Sequence, residues 1–103
     1  MFEKLKMVEK RYNDLNDLLS DPKIIAQQSE FQKYAKEQSD LIPIVNKFKD
    51  LQKCVKQLEQ SKDILEEEKD PELLEMARED LIRVETQMHK AEEDLRILLL
   101  PKD

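Results

Sequence analysis

The sequence predicts an all-α fold: an elongated antiparallel helical hairpin or bundle of three to four helices with coiled-coil-like packing. Three observations carry that expectation. The 103 residues include no glycine, the residue that reaches positive φ cheaply and builds the tight primed turns of β-hairpins. Leu, Glu, Lys and Gln, all good helix formers, dominate a chain that is 41% charged and 39% hydrophobic. The apolar residues recur at steps of three and four over long stretches, the spacing that keeps them on one helical face. A chain of this length forms a single helical domain, residues 1–103, whose core is a seam between helices because its apolar fraction is low.

Residues 2–19 form the first predicted helix, with Phe2, Leu5, Val8, Tyr12, Leu15, Leu18 and Leu19 on its apolar face. Ser20-Asp21-Pro22 interrupts it. Proline disfavours helix at the residue before it, so Asp21 is expected to be extended and to act as an N-cap, with Pro22 at a first helical position. Residues 23–28 are then either a short helical turn or an irregular connector. Ser29 is the expected N-cap of a second, long helix whose stripe is Phe31, Tyr34, Ala35, Leu41, Val45, Phe48, Leu51, Val55, Leu58 and Leu65. Pro43 interrupts its hydrogen bonding, a defect of ~3 kcal/mol or more. The stripe continues through it, so one helix kinked at Pro43 is the first expectation and a break into two the alternative.

Asp70-Pro71 repeats the Asp21-Pro22 pattern and opens the last helix, with Glu72 near the positive end of its dipole. Here Leu74, Ala77, Leu81, Val84, Met88, Ala91, Leu95 and Leu98 alternate steps of three and four, the pattern of a left-handed helix seam, until Pro101.

Composition excludes several kinds of chemistry. Without glycine there is no phosphate-binding P-loop, dinucleotide fingerprint or nucleophile elbow. His89 has Glu85, Glu92 and Glu93 within one turn, but a di-iron bundle site needs Glu-x-x-His from two helices and the chain has one histidine. His89 is therefore read as a solvated surface residue. Cys54 is read as a small packing residue, and a lone cysteine fits a reducing cytosol. No catalytic, cofactor or metal residues are assigned, and the chain is not expected to be an enzyme or to take a small-molecule substrate. No apolar run has the length of a membrane span, so a cytoplasmic protein without membrane contact is expected.

The net charge of −6 is unevenly placed: residues 66–103 hold 13 acids and 6 bases, residues 1–65 hold 11 and 12. Lys49, Lys53 and Lys56 share one helical face at i, i+4 and i+7 and form the candidate RNA-contact face. Glu72, Glu75 and Glu79, within the acidic stretch 66–80, form the candidate protein-docking face. Residue chemistry alone thus leaves three possibilities: a module docking a larger protein onto an RNA–protein machine, a helical tRNA-binding arm, or a coiled-coil tether or chaperone-like domain. The acidic last helix weighs against the tRNA arm, which needs a basic hairpin.

Particular residues also carry a family resemblance. Leu18-Leu19-Ser20-Asp21-Pro22, Phe31-Gln32-Lys33-Tyr34-Ala35-Lys36-Glu37, Leu41-Ile42-Pro43-Ile44-Val45 and Asp70-Pro71-Glu72-Leu73-Leu74-Glu75-Met76-Ala77 occur in that order, and Leu98-Leu99-Leu100-Pro101-Lys102-Asp103 closes the chain. Together they resemble the start of bacterial class I peptide chain release factors, and the last motif resembles type 1. The resemblance implies a role in translation termination at UAA and UAG. It also implies two partners: the ribosome, at the GTPase-associated region of the large subunit, and a class 2 release factor GTPase. The stop-codon-reading Pro-x-Thr and catalytic Gly-Gly-Gln motifs of that family do not occur in this sequence. The chain is accordingly expected to be the N-terminal helical domain alone.

Overall fold

The computed structural model describes residues 1–101; Lys102 and Asp103, which end the last of those motifs, lie outside the described residues. Four helices run in order: α1 (Phe2–Ser20), α2 (Pro22–Ile25), α3 (Gln28–Glu67) and α4 (Pro71–Leu98). No described residue is in a β-strand and none has a positive φ. The described chain turns without left-handed residues, and it does so twice by the same device. Asp21 is held extended (φ −79°, ψ 121°) by the ring of Pro22. Its N–H donates to Leu18 O at 3.1 Å, closing α1, while its Oδ1 accepts from Lys23 N–H at 2.9 Å, opening α2. Asp70 repeats the conformation (φ −69°, ψ 119°) and accepts from Glu72 N–H at 3.0 Å. Glu68 Oε1 accepts from the N–H groups of Lys69 and Asp70, at 3.0 and 3.1 Å, so the reversal between α3 and α4 is tied by side chains.

Residues 22–25 are the short helical turn, and the long helix begins one residue before the expected cap. Gln27 takes the place expected of Ser29: its N–H donates to Ile24 O at 3.0 Å and its carbonyl accepts from Phe31 N–H at 2.9 Å. The last turn of α2 feeds α3 directly, leaving no room for a cap at Ser29. α3 runs unbroken through Pro43, so the two-helix alternative is not realised.

The chain groups into two compact units, Met1–Asn46 and the part from Lys47 onward. In the first, Leu5, Leu15 and Val45 are buried. Arg11 on α1 clasps Glu37 on α3 through two hydrogen bonds, Nε to Oε1 at 2.8 Å and Nη2 to Oε2 at 2.7 Å. Gln38 donates to Asn16 beside that clasp. Phe2, expected on the apolar face, is 51% exposed: it starts its helix and stands beside the Lys6 ammonium, 6.0 Å from its ring centroid.

In the second unit α4 folds back along α3, with Lys47 Nζ 3.3 Å from Asp94 Oδ2. Ala77, Val84, Ala91 and Leu95 are buried, and Leu74, Leu81, Met88 and Leu98 half-buried. Between Pro71 and Lys90 every residue off this stripe is exposed. The facing stripe on α3 is Phe48, Leu51, Cys54, Leu58, Ser61 and Leu65, which corrects the sequence expectation at one place. Val55 is 36% exposed, whereas Cys54 and Ser61 are buried. The reason is helical phase: Val45, Phe48, Leu51 and Cys54 succeed one another in steps of three. Each such step slips the stripe by about 60° around a helix of ~3.6 residues per turn. A stripe drifting that way reaches Cys54, not Val55.

Candidate nucleic-acid interface

Positions flanking the α3–α4 seam form the walls of an open groove of about 420 Å³. Lys47, Asp50, Lys53 and Gln57 come from α3; Arg83, Gln87, Lys90 and Asp94 come from α4. The floor is Cys54 and Ala91. Two small residues at the seam are what leave a groove there, since larger ones would fill the space between the walls. Four cations against two carboxylates make this lining net positive in a chain whose total is −6.

The groove has two electrostatically distinct ends. At one, Lys47 lies 3.3 Å from Asp94 and 3.9 Å from Asp50, and Lys90 lies 3.9 Å from Asp94, so the charges compensate one another. At the other, Arg83 spends only Nη2, on Asp80 at 3.0 Å. Lys53, Gln57 and Gln87 make no side-chain hydrogen bond or ion pair among the described residues.

Lys49, Lys53 and Lys56 are all exposed on α3, sharing the predicted face, and none is ion-paired among the described residues. Lys53 alone of the three lines the groove. Glu72, Glu75 and Glu79 are exposed on α4 away from its seam, with Glu75 paired to Arg78 at 3.0 Å. The lysine row and the acidic face therefore stand as separate surfaces. Arg83, Gln57 and Gln87 are groove residues that the sequence expectation does not include. The signal that could have found them is their position beside seam residues on both helices, at the same i, i+4 spacing as Lys53–Gln57 and Arg83–Gln87.

Elsewhere, His89 is exposed, and no group of three or more His, Cys, Asp or Glu among the described residues is placed to hold a metal ion. No helix among the described residues is long and apolar enough to cross a membrane. The Glu37 carboxyl is held below its ordinary value, chiefly by the hydrogen bonds from Arg11 and further by the positive charges of Arg11 and Lys33. The Arg11 guanidinium is correspondingly raised by Glu37. That pair lies between α1 and α3 and works as a clasp.

The fold and groove define an all-α protein of long amphipathic helices with a charged inter-helix groove. The chain belongs to the PCRF domain family, whose model matches residues 8–103. Its relatives include peptide chain release factor 1 of Desulfitobacterium hafniense, 48% identical over 103 residues, which are 100% of this chain and 29% of that protein. The same factor of Clostridioides difficile is 43% identical over the same 103 residues, again 29% of the relative, and that of Clostridium botulinum gives the same figures. The chain thus spans less than a third of the length of these relatives. No solved structure gives a significant match.

Proposed function

We propose that this chain is the N-terminal helical docking module of a translation termination factor acting at UAA and UAG. It works in the cytoplasm by engaging the large ribosomal subunit at its GTPase-associated region and a class 2 release factor GTPase. The family match over residues 8–103, joined to relatives named peptide chain release factor 1, is the observation that carries this reading. The structure adds two supporting features: long helices that present charged faces, and a cationic groove suited to nucleic acid. The module itself is not an enzyme. A chain without glycine holds no Gly-Gly-Gln loop, so hydrolysis of peptidyl-tRNA must come from residues outside this sequence.

The test is a peptide-release assay on ribosomes stalled at UAA. Alone, the chain is expected to release no peptide above the factor-free background. In excess over an intact type 1 factor, it is expected to slow release by occupying the shared docking site. Release by the chain alone, or release by the intact factor unaffected at every concentration of chain, overturns the reading.

A further inference from the structure

We propose that Lys53, Gln57, Arg83 and Gln87 form a binding site for two successive phosphodiesters of an RNA strand lying in the α3–α4 groove. This deepens the ribosome-docking reading and rests on it for its partner class, but places the contact in the groove and not on the Lys49–Lys56 row.

The site arises from register. Counting along the two antiparallel helices from the Lys47–Asp94 contact, Lys53 comes within one residue of level with Gln87, and Gln57 within one residue of level with Arg83, and all four line the groove. Each level is thus one cation facing one amide across the groove, carrying a single positive charge. The levels are four residues apart, about 6 Å at ~1.5 Å rise per residue. That is close to the separation of neighbouring phosphates on an extended strand, each of which brings one negative charge. The donors are also unspent. Lys53, Gln57 and Gln87 have no partner among the described residues, and Arg83 keeps the Nε and Nη1 sides of its guanidinium while Nη2 holds Asp80. An Arg with a free edge suits bidentate contact with phosphate oxygens. The compensated end of the groove behaves as a stop. Asp50 and Asp94 hold Lys47 and Lys90 there, and their carboxylates repel a further phosphate.

An acidic peptide is the competing occupant. Protein partners rely on apolar or aromatic anchors seated in pockets, whereas the groove's floor offers only Cys54 and Ala91. A polar, open, cationic surface without such a pocket matches the wet character of protein–nucleic acid contacts.

The experiment is an NMR titration of the whole chain with single-stranded decauridylate, with decaglutamate in parallel. RNA is expected to move the side-chain amide signals of Gln57 and Gln87 and the Nε–H signal of Arg83. The double variant K53Q/R83Q should flatten the slope of log affinity against log salt by about 1.4, the value for two lost phosphate contacts on a single strand. Its melting curve should match the parent's, because both side chains are on the surface. K49Q/K56Q should leave the groove signals responding as before. The proposal is overturned if decaglutamate moves the same signals at lower concentration than RNA. It is also overturned if K49Q/K56Q removes the response and K53Q/R83Q does not. Running both variants in the release-competition assay separates the two claims. If K53Q/R83Q competes as well as the parent and the groove signals stay still, the groove site fails while the docking reading stands. If the parent does not compete yet RNA moves the groove signals, the docking reading fails and the groove site stands.

Discussion

The two units of this chain hold their helices together by different means. In Met1–Asn46, three buried aliphatic residues are supplemented by a polar clasp of Arg11 on Glu37 and Gln38 on Asn16. From Lys47 onward the helices meet along a long apolar seam, with Phe48, Val84 and Leu95 almost wholly buried, and the only ion pair between α3 and α4 among the described residues is Lys47–Asp94. The difference matters energetically. A fully buried leucine is worth several kcal/mol, while ion pairs between exposed side chains contribute little. It matters functionally as well. A seam made of apolar side chains leaves Lys53, Gln57 and Gln87 without a side-chain partner among the described residues, and all three line the groove.

Two substitutions sharpen this contrast. The larger effect is expected from L95A, which removes a side chain with no exposed surface and should cost about 2–5 kcal/mol. Hydrogen exchange is expected to accelerate most in α4 and the facing part of α3. An equal acceleration in α1 would show that the seam and the clasp are not separate sources of stability. The smaller effect is expected from E37Q, because Arg11 and Glu37 are both substantially exposed. Linkage sets its sign. Glu37 titrates below its ordinary value of 4.5 in the folded chain, so the carboxylate stabilises at neutral pH, and that contribution is lost as pH falls through the depressed value. Thermal melts should therefore show E37Q slightly less stable at pH 7, with the gap closing as the pH falls below the ordinary glutamate value of 4.5 and through the depressed one. A gap of constant size across that range would mean that the clasp works by shape and not by charge.

The parts of the fold that are legible in the sequence are those with local causes. Both Asp-Pro pairs fix a backbone conformation within two residues, and both act as caps. The α4 seam is strictly periodic from Leu74 to Leu98, and all eight of its residues are buried or half-buried. α3 is less legible because its stripe drifts: Val55 has the more apolar side chain, yet the phase set by Val45, Phe48 and Leu51 selects Cys54. Gln27, not Ser29, stands at the start of α3, since the incoming turn of α2 decides where the helix begins. The groove is legible only as polar positions beside two seam stripes, not as one site. Lys53 stands out in the sequence for its neighbours on α3, but Arg83 and Gln87 lie on another helix, and only the folding of α4 along α3 brings them to one groove.

We propose that this chain docks on the ribosome through charge. The most direct measurement is its binding to isolated large ribosomal subunits by co-sedimentation, across a series of salt concentrations. Saturation at one chain per subunit, with affinity falling linearly on a log–log plot as salt rises, is the predicted result. Absence of binding at low salt, or binding that salt leaves unchanged, would contradict it.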